Sequence, residues 1–290
     1  MKFSLPEIRH NQHGYDTLVR LNADLEALRF TQIEIDMSST TWFDADMCAP
    51  FGAILYRIGQ LGNQVHLTNV RPEVEMILSK NGFLSHYGRL LLPDTYGTTI
   101  PYQRFDVKDD RFFASYVESR FVRRSEMPRM SPGLVKRFRE SVFEIFSNAV
   151  IHSQTQLGIF SCGQFFPKRN RLDFSVADLG IGIQRNVKEH TGVDLPAHEA
   201  IEWATQAHNT TKRGQIPGGL GLKLLSEFIT LNGGRMQIVS DSGYWSLEKD
   251  QTQIMLLPRP FPGTVVSVEI NTSDTQSYAL SSELTDSDIF

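Results

Sequence analysis

Apolar positions in the first part of the chain switch between two periods. Leu18, Leu21, Leu25 and Leu28 recur at helical spacing, whereas Ile33, Ile35 and Met37 alternate with Glu34 and Asp36 as in a strand with one wet face. Met47, Phe51, Ile54, Leu55 and Ile58 predict an amphipathic helix that stops between Gly59 and Gly62. Val65 and Leu67 form a short strand, and Pro72 opens a helix carrying Val74, Ile77 and Leu78 that ends at Asn81-Gly82. Strands alternating with helices predict an α/β layer over residues 1–87.

Residues 88–130 read as a connector. Pro93, Gly97 and Pro101 mark its first part as loop, Arg111 to Val122 has helical spacing, and Arg120, Arg123 and Arg124 make a small basic cluster. A second patterned region follows over residues 131–270. Ser131-Pro132 is a helix start, and the helix continues to His152 with Phe138, Val142, Ile145 and Ala149 as its core stripe. Glu140, Glu144, Asn148 and His152 fall at four-residue spacing, so they share one face with about 6 Å between successive turns. Both a solvated stripe and a functional row fit that spacing.

Two strand-like segments come next. Leu157 to Phe165 is apolar; Leu172, Phe174 and Val176 alternate towards Asp178-Leu179-Gly180-Ile181-Gly182. An acid at a strand end followed by glycines lets backbone approach a planar ligand closely. Pro217-Gly218-Gly219-Leu220-Gly221-Leu222 opens another helix, whose exposed first amides are suited to an anion; an ordinary flexible loop before a helix fits the same pattern. Strands are expected at Arg235 to Ser240 and Gly263 to Ile270. Residues 271–290 are rich in Ser, Thr and Asp with no basic residue, and are expected to be a disordered acidic tail.

Composition narrows the functional classes. With 290 residues, 40% hydrophobic, the chain has room for about two ordinary domains. Lys+Arg 29 against Asp+Glu 33 gives −4, which argues against binding nucleic acid or an anionic membrane through bulk charge. Two distant cysteines, Cys48 and Cys162, build neither a disulfide framework nor a Cys-rich zinc site. The first residues carry no apolar signal region, and no run is long enough to span a bilayer, so a cytoplasmic protein is expected.

Two resemblances sharpen these expectations. The strand "IEIDMSS", the turn "TTWFDADM", the strand "VHLTNV" and "RPEVEMILSKNGFL" resemble the STAS domain of anti-sigma-factor antagonists. Where that family carries a phosphorylated serine, this chain reads Asp44-Ala45-Asp46-Met47. Ala45 has no hydroxyl to phosphorylate, Asp46 offers a charge beside that position, and Asp44 is the residue expected to cap the helix. In the second region, "ESVFEIFSNAVIHS", "VADLGIGI", "GGLGLKLL" and "GTVVSVEI" resemble the N box, two glycine boxes and closing strand of the GHKL ATPases, in the branch of the anti-sigma serine kinases. That family implies a two-layer α/β sandwich, a mixed sheet covered on one face by helices, with ATP held between them under a mobile lid. The Walker pattern is absent.

The resemblance implies roles residue by residue. Asn148 matches the asparagine that binds Mg2+, and Glu144, one turn earlier, the general base. Asp178 matches the acid that accepts a hydrogen bond from the adenine amine, Gly180 and Gly182 the glycines beside the base, and Thr264 a threonine near it. Gly218, Gly219 and Gly221 match the phosphate-binding glycines, although Pro217 replaces a further glycine and stiffens the hinge of the lid, residues 184–216. No phospho-accepting histidine motif precedes Ser131. The chain is therefore expected to be an ATP-binding bacterial signalling regulator, with Mg2+ and ATP as cofactors. It acts as an ATPase or Ser/Thr kinase on a protein partner, or else as a non-catalytic ATP-switched module or scaffold. A homodimer is a further expectation, as is docking of the STAS-like unit on the ATPase-like unit in cis.

Overall fold

The computed structural model describes residues 1–151, 153–206 and 220–283. The elements run β1 (Lys2–Ser4), α1 (Gln12–Leu25), β2 (Gln32–Asp36), α2 (Cys48–Gln60), β3 (Gln64–Thr68), α3 (Pro72–Lys80), β4 (Thr99–Phe105), α4 (Asp110–Val117), β5 (Arg129–Met130) and α5 (Pro132–Ile151). They continue with β6 (Ile159–Phe166), β7 (Arg171–Asp178), α6 (Gly182–Thr191), α7 (Ala197–Thr205), α8 (Leu220–Asn232), β8 (Arg235–Glu248), β9 (Gln251–Asn271) and β10 (Ser277–Tyr278). Every element read from residues 18–80 is present. β1 is additional, and it makes a parallel sheet in the order β1-β2-β3.

The larger sheet has the order β4-β6-β7-β9-β8, and every adjacent pair is antiparallel. The expected mixed sheet is thus corrected: the fold is α+β with five antiparallel strands. The physical cause is local. β6 and β7 are joined by a tight turn at Pro167–Arg169, β8 and β9 form a long hairpin, and β9 inserts between β7 and β8.

Period-two alternation sends the strand residues to opposite faces. Leu172, Phe174 and Val176 of β7 and Val266, Val268 and Ile270 of β9 pack beneath Phe113, Phe138, Val142 and Phe228 of the helices. Phe121 stacks on Phe174 with ring centroids 4.5 Å apart. On the opposite face, Phe160, Cys162, Ala177, Val239 and Val265 share a core with Leu18, Phe51, Ile54 and Leu55. α1 lies along β9, and α2 along β6 and β7. The N-terminal unit is therefore docked on the sheet in cis, and the sheet is a layer between two sets of helices. The two cysteines, 114 positions apart in sequence (162 − 48), meet at this junction, where the Asn81 amide lies 3.3 Å from Cys48 Sγ and 3.4 Å from Cys162 Sγ. Both thiols are free and buried.

Three other expectations change. Residues 99–105, expected as connector, form the edge strand β4, and α4 packs on α5, so this stretch belongs to the sheet and its helical cover. The first part of the expected lid is helical: α6 and α7 pack against β8 and β9. Residues 207–219, including Pro217, Gly218 and Gly219, lie outside the described residues, as does His152. The tail from Asn271 is anchored as far as Glu283. Ser277–Tyr278 pairs in parallel with Arg129–Met130, and Tyr278 is buried against Phe228. Glu283 accepts from the Gly133 amide at 2.9 Å and from the Ser131 hydroxyl, so an acidic residue closes the start of α5. One aromatic and one capping carboxylate outweigh the polar composition.

Phe160 tests this arrangement because it is fully buried on the docked face, 5.5 Å from the Tyr56 ring. Phe160→Ala is expected to cost about 3–5 kcal/mol. In a background where Trp203 and Trp245 are replaced by Phe, Trp42 fluorescence and far-ultraviolet circular dichroism should report one common urea transition with and without Phe160→Ala; a separate early transition at Trp42 contradicts a shared core.

Candidate functional site

The strand register places two of the predicted residues side by side before any side chain is considered. Asp178 at the end of β7 pairs with Thr264 of β9, and Thr264 with Ser240 of β8. By alternation from Phe174 and Val268, all three face the helical layer. Ser240, which the sequence reading missed, links three elements. Its Oγ accepts from the Ile183 amide at 2.8 Å, capping the start of α6, and lies 3.0 Å from Thr264 Oγ1. A lone serine inside an apolar strand run carries no spacing signal for this role.

Asp178 is 5% exposed, and its Oδ1 accepts from the Gly180 amide at 2.8 Å. Burial pushes its carboxyl up to about 7, against the opposing pull of the Gly180 and Thr264 amides. It is thus a buried acid held by backbone donors, able to accept or share a proton with a polar ligand edge.

The glycines have identifiable causes. A Cβ on Gly180 would stand 2.2 Å from Ser153, whose carbonyl accepts from the Ile181 amide at 2.8 Å. The segment after α5 therefore closes directly onto the loop after β7. Gly182 has φ +78°, a left-handed conformation that glycine adopts without strain. Gly221 lies against Glu144: its amide donates to Glu144 Oε2 at 2.9 Å, and a Cβ there would stand 2.2 Å from the same oxygen.

α5 is thus the element that joins the parts. Its middle turn carries Glu144 to the first turn of α8, the next turn holds the half-buried Asn148, and its end reaches Gly180. Glu144 occupies one of the helix-start amides that the sequence reading assigned to phosphate. A carboxylate oxygen on such an amide is the chemical counterpart of a phosphate oxygen. A cavity of about 510 Å³ opens beside this contact, lined by Arg137, Glu140, Ser141, Glu144, Gly221 and Lys223. A larger cleft of about 830 Å³ lies between α2, β3 and β4, among Tyr56, His66, His86, Tyr102 and Arg104, and contains none of the predicted site residues.

The turn at Asp44–Met47 differs from expectation. Asp44 does not cap α2; its carboxylate accepts from the His10 amide at 2.8 Å and from Trp42 Nε1 at 2.7 Å. Asp46 is fully buried under the N-terminal unit, where desolvation pushes its carboxyl up to about 7. It therefore cannot stand as an exposed substitute for a phosphate. No family model matches the chain, and no curated protein matches it. Among the described residues, no helix is long and apolar enough to cross a membrane.

The Asp178 environment generates a pH prediction. Its folded pKa lies above the unfolded value of 3.8, so the native state binds more protons between pH 4 and about 7. This group's contribution is most favourable below pH 4 and is lost as pH rises through about 7. Asp178→Asn, which keeps an oxygen for the Gly180 amide, is expected to exceed the wild type in stability by about 1–3 kcal/mol at pH 8. The difference should shrink towards pH 4 in urea titrations. A constant difference at all pH values contradicts the assignment.

Proposed function

We propose that the chain is an ATP-binding bacterial signalling regulator, in which the sheet, α5 and the start of α8 hold a magnesium nucleotide in the manner of GHKL proteins. In this reading the docked N-terminal unit is a STAS-like regulatory partner, and the protein acts in the cytoplasm on another protein. The carrying observation is the register pair Asp178–Thr264 on the helix-covered face, closed at one side by the end of α5. A buried carboxyl whose proton affinity is raised suits an exocyclic amine of adenine.

The residue roles follow from position. Asp178 would accept from the adenine amine, with Thr264 beside it and Gly180 and Gly182 shaping the backbone around the ring. Asn148 offers one hard oxygen to Mg2+, which takes its remaining ligands from phosphate and water. The amides at the start of α8, Gly221 among them, would receive phosphate oxygens once Glu144 turns away. Glu144, so released, would orient a water or a substrate hydroxyl for in-line attack, giving hydrolysis or transfer to a Ser or Thr.

A second reading, a non-catalytic ATP-switched module, is favoured by the Glu144–Gly221 bond. A phosphate oxygen would compete with the Glu144 carboxylate for the same helix amide, and that exchange would release a contact between α5 and α8.

Calorimetry with Mg-ATP tests the site. The wild type is expected to bind one nucleotide per chain, and Asp178→Asn to bind about tenfold or more weakly, because the adenine amine loses its carboxylate acceptor. No binding heat for the wild type overturns both readings. Glu144→Ala separates them: binding retained with lost phosphate release supports catalysis, whereas equal release rates leave the switch.

A further inference from the structure

The face of the sheet beneath the N-terminal unit carries an unusual row. Asp173 of β7 pairs in register with Glu269 of β9, and Glu269 with Arg235 of β8. Two acids directly opposite each other repel unless a cation joins them. His10, from the loop before α1, covers this row and is 1% exposed. Its Nδ1 stands 3.3 Å from Asp46 Oδ2 and 3.5 Å from Asp173 Oδ2. Ligand atoms of His10, Asp173 and Glu269 all lie within 4.8 Å of one another.

The polar atoms of this pocket are under-satisfied. Both ring nitrogens of His10, Oδ1 of Asp173 and Oδ1 of Asp46 lack a hydrogen-bond partner, although each is buried, and Asp173 Oδ2 has its ion pair with Arg171 in place of one. Charge does not balance either. Were all four carboxyls (Asp44, Asp46, Asp173, Glu269) ionised, the two guanidiniums Arg171 and Arg235 would leave 4 − 2, two negative charges, in a desolvated place. Two protons or one divalent cation would cancel them. The spacing distinguishes the two. Charge-assisted hydrogen bonds run at about 2.7–2.9 Å, shorter than both His10 contacts. Two ligand atoms bound tetrahedrally at about 2.0–2.2 Å from one ion stand about 3.3–3.6 Å apart, as His10 Nδ1 and Asp173 Oδ2 do.

We propose that His10, Asp173 and Glu269 form a binding site for a divalent transition-metal cation of the zinc class, set in the seam between the N-terminal unit and the sheet. Imidazole with carboxylates is a donor set suited to that class. Asp46 Oδ2, which accepts from Ser175 Oγ at 3.0 Å, is placed to turn towards the same ion. Arg171 lies 2.9 Å from Asp173 Oδ2, the oxygen that also faces His10, and Arg235 lies 2.8 Å from Glu269 Oε2, so the two guanidiniums orient the carboxylates at the edge of the site. His10 belongs to one unit and both acids to the other, so the ion clamps the two together. Because the ligands are buried, it loads during folding or when the N-terminal unit lifts.

The test uses the full chain, stripped of metal in denaturant and refolded with cobalt(II) or zinc. The wild type is expected to hold about one equivalent by mass spectrometry of the metals, to show the visible cobalt band of a tetrahedral nitrogen–oxygen site, and to melt at a higher temperature than the metal-free protein. His10→Ala and Glu269→Gln should lose the band and the shift. Less than about a tenth of an equivalent in the wild type, or full uptake by His10→Ala, overturns the proposal. Should the variants fail to fold, the wild type decides: a tetrahedral cobalt band supports the site, and an unchanged melting temperature without that band overturns it.

Discussion

Burying charge between two layers is the constraint on which the rest of this structure depends. The sheet offers the N-terminal unit a face that is apolar at one end, through Phe160, Ala177, Val239 and Val265, and ionic at the other, through Arg171, Asp173, Arg235 and Glu269. The apolar end supplies the drive to associate; the ionic end supplies its direction. Arg235 reaches the His10 carbonyl at 2.8 Å, Arg171 reaches Asp44 at 3.1 Å, and the Tyr15 hydroxyl meets Ser267 Oγ at 2.7 Å. Losing the first or the third strands the His10 carbonyl or the Tyr15 hydroxyl, whereas sliding the unit by one strand position breaks all three contacts. Such a seam contributes little net stability, but it admits one docking geometry.

That geometry frees the opposite face for the candidate nucleotide site. With the N-terminal unit on one side, Asp178, Thr264 and Ser240 point to the other, under α5 and beside α8. The two faces share β7 and β9: Asp173 and Ser175 point one way, Phe174, Val176 and Asp178 the other. Asp178 and the seam residues Asp173 and Ser175 thus sit on opposite faces of one strand.

Local periodicity made the N-terminal elements legible, because each was read from its own residues. Leu18 to Leu25 and Cys48 to Ile58 show their buried faces directly in their spacing. The rows Asp173-Ser175 and Ser267-Glu269 were not legible as an interface. In sequence, an alternating polar row reads as a wetted strand face, and only the docked unit shows that it is dry. Asp44 and Asp46 were misread for the same reason: a capping acid and a buried acid share one spelling. Tyr278 and Glu283 escaped notice because two anchoring residues do not alter the composition of a polar tail. At the site, the candidates Asp178, Gly180, Gly221 and Glu144 were legible one by one from their motifs. Ser240 and the Glu144–Gly221 bond were not, since both depend on contacts between elements far apart in the chain.

Native-state hydrogen exchange tests the central claim most directly. With rising denaturant, amides of β2 (Ile33, Ile35) and of β7 (Phe174, Val176) should converge on one opening free energy and one denaturant slope, as parts of a single cooperative body. If the β2 amides exchange through a smaller, earlier opening while those of β7 stay protected, the N-terminal unit folds and detaches independently, and the seam does not hold the two together.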